Sequence, residues 1–182
     1  MDRTYRQETN FLTVIWVALT CVLTGGMIGA TTNAFNGYVS PTYFQNILGW
    51  DFHDIWTASI AQGILEGLIY GVIFSIVFGA TVLLVTKGQA TYRFAFRHLI
   101  KIIGLVYLCW CLGGLIAVGL AALSPDFYRA TFKQVPEDFG QMLGYAWVGG
   151  SIWGGMFGGL FGLTLGVLGV RTSWRKNKKH VC

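Results

Sequence analysis

Charged residues are scarce in this chain. Asp, Glu, Lys and Arg make up 12% of its 182 residues, while hydrophobic residues make up 54%. An ordinary soluble domain carries about 25% charged residues, because water must solvate its surface. The shortage of charge argues against a soluble protein. It predicts an all-α integral membrane protein, with residues 1–182 forming a single membrane domain.

Proline is also rare, with 3 residues, whereas glycine is abundant, with 25. Disordered chains are rich in charge and proline, so this combination instead favours apolar helices that pack closely. The four cysteines include no Cys-x-x-Cys pair, and we interpret them as small apolar residues. The sequence also lacks nucleophile-elbow, phosphate-loop, zinc and dinucleotide motifs, so we expect no enzymatic activity, cofactor or metal.

Four apolar stretches are long enough to cross a bilayer, which requires about 20 helical residues. They cover residues 11–35, Ile55–Thr86, 99–123 and 139–170, and their only charged residues are Glu66 and Lys101. Because the connections between them are short, we predict four transmembrane helices arranged as two tandem helical hairpins.

Positive charge is distributed unevenly among the connections. Of the thirteen Lys and Arg residues, the first connection carries none and the third carries only Arg129 and Lys133. The positive-inside rule therefore predicts a cell-membrane protein with both termini in the cytoplasm. The basic tail, residues 171–182, predicts contact with anionic lipids, and we expect no nucleic-acid binding. The other eleven basic residues are Arg3, Arg6, Lys87, Arg93, Arg97, Lys101, Arg171, Arg175, Lys176, Lys178 and Lys179.

The two halves of the chain, about 11–86 and 99–170, resemble each other. Gly25-Gly26 recurs as Gly113-Gly114, and Ser40-Pro41 recurs as Ser124-Pro125. A stripe of small residues at every fourth position of the second stretch recurs 87 residues later in the fourth. We interpret this as an internal repeat; the alternative is a chance alignment of glycine-rich helices. The stripes are Gly63, Gly67, Gly71, Ser75 and Gly79, and Gly150, Gly154, Gly158, Gly162 and Gly166.

Small residues at this spacing let two helices approach closely in a bilayer. We predict that the second and fourth stretches pack against each other along their stripes within one chain. Homo-oligomerisation, or binding to another subunit of a membrane complex, is the alternative.

In each half a serine and a proline precede an aromatic segment. Ser40 and Ser124 are suited to cap short helices that begin at Pro41 and Pro125. Aromatic rings concentrate at the headgroup region of bilayers, so we predict a short interfacial helix on the non-cytoplasmic side in each half. The rings are Tyr43, Phe44 and Trp50 in the first half and Phe127, Tyr128 and Phe132 in the second.

Glu66 is the strongest candidate for a functional residue. It lies about eleven residues into the second stretch, near the middle of the membrane, where an uncompensated charge is costly. Gln62 and Tyr70 lie four residues before and after it, on the same ridge of the helix, where they can hydrogen-bond its carboxyl group. Glu66 is then either an ion or proton site or a carboxyl group that only holds helices together.

Two further polar groups have competing interpretations. Asn33 and Asn36 either line the same cavity as Glu66 or begin the loop towards Gly37, and we favour the loop. Asp51 and Asp54 could join His53 around a metal, but we interpret one of the two carboxylates as the N-cap of the second stretch.

These features predict a non-enzymatic subunit that serves the assembly or scaffolding of a membrane complex. The alternative is a small transporter or channel that uses Glu66 as an intramembrane proton or cation site.

Overall fold

The computed structural model describes residues 2–179, with side chains described for residues 12–176. The side chains of Arg3, Arg6, Lys178 and Lys179, together with Cys182, lie outside this part of the chain. The described residues form helices and connections without strands, which confirms the all-α prediction. In order, the helices are α1 (Asp2–Val39), α2 (Pro41–Leu48), α3 (Ile55–Thr86), α4 (Tyr92–Leu123), α5 (Pro125–Thr131) and α6 (Phe139–Lys179).

Four of these helices, α1, α3, α4 and α6, are long and apolar enough to cross a membrane. Many of their large apolar side chains are exposed, including Ile76 at 65% and Leu84 at 75%. Side chains of this kind on the outside of a helical bundle are typical of a surface that contacts lipid. The chain is therefore a multi-pass membrane protein.

Three of the four long helices extend beyond the predicted bounds. Helix α1 continues past residue 35 to Val39, α4 begins at Tyr92 rather than residue 99, and α6 continues past residue 170 to Lys179. Hydropathy locates only the apolar part of a helix. In α4 and α6 the added residues include Arg and Lys, which are good helix formers and prolong the helix into polar surroundings. The predicted basic tail is therefore mostly the last turns of α6.

Each long helix packs most closely against the other long helix of its own half. Helix α1 runs antiparallel to α3, and α4 runs antiparallel to α6. A Cβ atom placed on Gly63 would lie 2.7 Å from the carbonyl carbon of Gly29, and one on Gly154 would lie 3.0 Å from that of Cys109. The stripes thus face α1 and α4, and the prediction that they face each other is wrong. The facing helices carry small residues of their own, Gly25 and Gly29 on α1 and Gly113 on α4, so backbone approaches backbone in each pair.

Contacts between the two helix pairs are fewer and lie mainly towards the ends. Near the terminal end, which is the end that carries both termini, Phe78 and Ile102 belong to one buried cluster that joins α1, α3, α4 and α6. Near the opposite end, called the α2–α5 end, Phe44 of α2 packs between Ile55 and Val148. The hydroxyl groups of Thr31 and Tyr107 lie 2.6 Å apart and link α1 to α4.

The predicted serine caps of the short helices are not formed. Ser40 and Ser124 occupy the N-cap positions before Pro41 and Pro125, but neither side chain accepts a capping hydrogen bond. Backbone bonds are formed at these positions: the N–H of Tyr43 donates to the carbonyl of Ser40 at 3.2 Å, and the N–H of Tyr128 donates to the carbonyl of Ser124 at 3.0 Å. Ser40 is instead buried.

Candidate binding cavity

A cavity of about 370 Å³ lies between the two helix pairs and is lined by α1, α3, α4 and α6. Most of its wall is apolar, with Ile28, Ile103 and Leu163 among the lining residues. The polar side chains in the wall are few, as is usual for a site that binds a small molecule. They are Thr24, Thr32, Asn33, Asn36, Glu66 and Tyr70, with the indole of Trp110 near one end.

The cavity opens sideways between α3 and α6. Its exposed lining residues are all on these two helices, whereas the lining residues on α1 and α4 are buried or half-buried. Tyr70 is 57% exposed on α3 and Leu160 is 64% exposed on α6. The opening lies between the packed ends of the bundle, along the apolar length of α3 and α6. The exposed residues are Glu66, Tyr70, Ile73, Met156 and Leu160.

Glu66 lies on this open side, and its hydrogen bond stays within its own helix. The amide Nε2 of Gln62 donates to Oε1 of Glu66 over 2.7 Å. The other amide atom, Gln62 Oε1, is buried without a hydrogen-bond partner among residues 12–176. Tyr70 lines the cavity beside Glu66, but a hydrogen bond between the two is not formed. A bond within one helix does not hold two helices together, so this hydrogen bond does not support the purely structural interpretation of Glu66.

The second helix pair packs in a similar way without a carboxylate. Gly29 faces Gly63 and Gly67, and Gly113 faces Gly150 and Gly154 in the same order. Gly25 makes the same kind of contact with Gly67 and Gly71, so the match between the two pairs is defined to within one turn. Depending on that turn, the position of Glu66 corresponds to Trp153 or to Gly149. Close packing of such a pair therefore does not require the carboxyl group.

Asn33 and Asn36 lie inside α1 and line the cavity, so the prediction that they begin a loop is wrong. Asn36 is fully buried. Its Oδ1 accepts a 3.1 Å hydrogen bond from Oγ of Ser151 on α6, while its Nδ2 has no partner among the described side chains. The helix continues through these residues because Gly37 and Ser59 allow α1 and α3 to stay in contact there.

The stripe glycines differ in how closely they are packed. A Cβ atom on Gly71 would lie 2.8 Å from the backbone Cα of Val22, and Gly67, Gly150 and Gly158 face similarly close atoms. Gly162 and Gly166 face the flexible side chain of Ile102 instead. Gly79 has no atom within 4 Å of its Cβ position in the described structure. Close backbone contact therefore covers only part of each stripe.

The acidic segment before α3 forms a cap, as expected. Asp54 is the N-cap residue, and its side chain accepts hydrogen bonds from the backbone N–H of Thr57 at 3.0 Å and from the Thr57 hydroxyl at 2.6 Å. These bonds from Thr57 lower the pKa of Asp54 below its ordinary value. Both carboxylate oxygens of Asp54 therefore cap the N-terminus of α3, which is the predicted alternative to a metal-binding role.

Sequence reasoning missed the part of the site that comes from α4 and α6. Trp110 lines the cavity, and its ring packs against Phe35 of α1 at a centroid distance of 5.4 Å. Its indole N–H is buried without a partner among residues 12–176. From sequence alone, a tryptophan inside an apolar helix is normally interpreted as a core residue. Only the position of Trp110 beside the cavity makes it a candidate site residue.

Comparison of the chain with family models, curated proteins and solved structures finds no match.

Proposed function

We propose that this protein is a small transporter that binds a hydrophobic cation from the bilayer, with Glu66 as its charge-recognition group. The observation that carries the proposal is the position of Glu66 on the open side of a mainly apolar cavity. An uncompensated carboxylate in the membrane is costly, and a bound cation would neutralise it. The apolar wall would then accommodate the hydrophobic body of the same molecule.

The geometry supports a transporter better than an aqueous channel. A channel for inorganic ions needs polar groups along its whole length to replace the hydration shell. Here the buried clusters around Phe78 and around Phe44 close the bundle near both ends. A carboxyl group that holds either a proton or a cation could exchange one for the other, which would couple cation movement to a proton gradient.

The test is binding and transport of tetraphenylphosphonium, a permanent hydrophobic cation without hydrogen-bonding groups. Purified protein in lipid nanodiscs should bind it, and Glu66→Gln should lose that binding while melting at the wild-type temperature. Glu66→Asp, which keeps a carboxylate, should retain part of the affinity. Glu137→Gln, a matched change outside the cavity, should bind like wild type. Equal affinity in the wild type and Glu66→Gln would refute the proposal.

An assembly or scaffold role is the weaker proposal. Glycine stripes that were free to meet another subunit would support it, yet most stripe glycines contact α1 or α4 of the same chain. Homo-oligomerisation through the exposed apolar faces remains compatible with a transporter.

We also propose the arrangement of the bundle in its membrane. The charge asymmetry supports a cytoplasmic terminal end, and the aromatic rings of α2 and α5 support their placement as interfacial helices on the other side. The matching contacts of Gly29 and Gly113 support an internal repeat of two helix pairs. At the terminal end, a recess lined by Val85, Arg171, Trp174 and Arg175 supports contact with anionic lipid headgroups.

A further inference from the structure

We infer that Asn36 is a second recognition point of the cavity, which donates a hydrogen bond to an acceptor oxygen on the molecule that Glu66 binds. This inference rests on the proposed function and specifies its substrate class: an amphipathic cation with a carbonyl, ether or hydroxyl oxygen at a defined distance from the positive charge.

Acceptors and donors lie at different places in the cavity wall. Glu66 contributes acceptor oxygens, one of which already accepts from Gln62. Towards the α2–α5 end, the lining groups that are buried without a partner among the described residues are donors, namely Nδ2 of Asn36 and Nε1 of Trp110. A buried donor without a partner destabilises the protein, because it has lost its hydrogen bonds to water. A ligand with an acceptor at this end would satisfy the donor, whereas a plain hydrocarbon would not.

The register of α1 against α3 sets the distance between the two ends. Gly29 faces Gly63 and Gly25 faces Gly67, so Glu66 lies level with residue 26 of α1. Asn36 is ten residues further along α1, which corresponds to roughly 15 Å between the two backbone levels at 1.5 Å per residue. Side chains lean towards the N-terminus of their helix. In antiparallel helices the two side chains lean towards each other, which leaves about 10 Å between their polar groups.

The side chain of Asn36 has an apolar counterpart of the same shape. Leucine has the same number of side-chain heavy atoms and the same branching, so Asn36→Leu removes the donor and keeps the outline of the side chain. Ser151→Ala removes the hydrogen bond between Asn36 and Ser151 but keeps the amide, so it controls for the loss of that contact.

The experiment compares two alkyl trimethylammonium ions of equal length, one with a ketone about 10 Å from the nitrogen and one with a methylene there. Their affinities are measured by displacement of labelled tetraphenylphosphonium from protein in nanodiscs. In the wild type the ketone should bind about fivefold more tightly, which corresponds to one hydrogen bond of about 1 kcal/mol. The tighter binding of the ketone relative to the methylene compound should disappear in Asn36→Leu and should be retained in Ser151→Ala.

The possible outcomes separate the inference from the proposed function. No ketone advantage in the wild type, or an advantage that survives in Asn36→Leu, would overturn the inference while Glu66-dependent binding of tetraphenylphosphonium still stood. Failure of tetraphenylphosphonium to bind at all would overturn both. Loss of the advantage in Ser151→Ala as well as in Asn36→Leu would mean that the contact between α1 and α6, rather than the donor, shapes the site, and would also overturn the inference.

Discussion

The amide of Gln62 donates its hydrogen bond to Glu66 on the same face of the same helix, one turn away. The pair therefore orients the carboxylate without joining α3 to any other helix. A carboxyl group placed this way leaves one oxygen available on the open side of the cavity. This arrangement separates the two interpretations of Glu66, because a purely structural carboxyl group would bond across a helix interface.

Glu66→Leu should leave the thermal stability of the bundle nearly unchanged. The side chain is exposed on α3, and the corresponding position of the second pair, Trp153 or Gly149, has no carboxyl group. A residue that held helices together would instead lose roughly 0.6–2 kcal/mol, the range for interhelical polar contacts. Melting in detergent, followed by static light scattering, distinguishes the two cases. A clear loss of stability in Glu66→Leu would favour the structural role.

Gly67→Leu and Gly154→Leu should each destabilise the protein by about 1–3 kcal/mol, because the new side chain meets the backbone of the facing helix. Gly104→Leu is the matched control, since no atom lies within 4 Å of its Cβ position. The measurement is the melting temperature of each purified variant. If all three variants melted alike, the close contacts of α1 with α3 and of α4 with α6 would be wrong.

Gly79→Ala should be tolerated and even stabilising, although Gly79 belongs to the stripe. Its Cβ position is open, and alanine in a helix is favoured over glycine by about 1 kcal/mol. The same change at Gly71, which faces the backbone of Val22, should destabilise. A stripe that packed uniformly along its whole length would make the two variants equally unstable.

The contact between Thr31 and Tyr107 should contribute about 0.6 kcal/mol to the stability of the bundle, a typical value for hydrogen bonds between membrane helices. The double-mutant cycle uses Thr31→Val, Tyr107→Phe and the combined variant, with unfolding measured by steric trapping in bicelles. Additive effects of the two single changes would mean that these hydroxyl groups do not interact.

Acid should weaken the cap at the start of α3. Because the pKa of Asp54 is lowered in the folded state, its contribution to stability is fully present above its ordinary pKa of 3.8. The contribution is lost as the pH falls through the lower pKa of the folded state. Asp54→Asn can cap without titrating. Between about pH 5 and pH 3, the wild type should therefore lose more thermal stability than Asp54→Asn, and parallel losses would exclude this contribution.

Reporter proteins fused to either terminus should be located in the cytoplasm, and a reporter inserted after Gly49 should be located on the other side. The expectation rests on eleven of thirteen basic residues lying at the terminal end or in the helices that reach it. Reporters on opposite sides at the two termini would require an odd number of membrane crossings.

The sequence was sufficient to predict an all-α fold, four helices able to cross a membrane, and Glu66 as a candidate functional residue. Each of these depends only on local composition. Twenty apolar residues identify a spanning helix wherever its neighbours lie, and a lone carboxylate in such a run is conspicuous. Helix ends were less accessible, since Arg93 and Lys176 continue a helix after its apolar part has ended.

Tertiary structure alone decided which helices the glycine stripes face and what surrounds Glu66. A stripe shows that a close approach exists, but its partner must also present small residues at a matching height. Here Gly25 and Gly29 of α1 meet the stripe of α3, and Gly113 of α4 meets the stripe of α6. The cavity lies where the two helix pairs are not in contact, so its position depends on how all four helices pack and cannot be predicted from one segment. Asn36 and Trp110 became candidates for the same reason: their distance from Glu66 in the chain is large, and only the packing of four helices brings them to one wall.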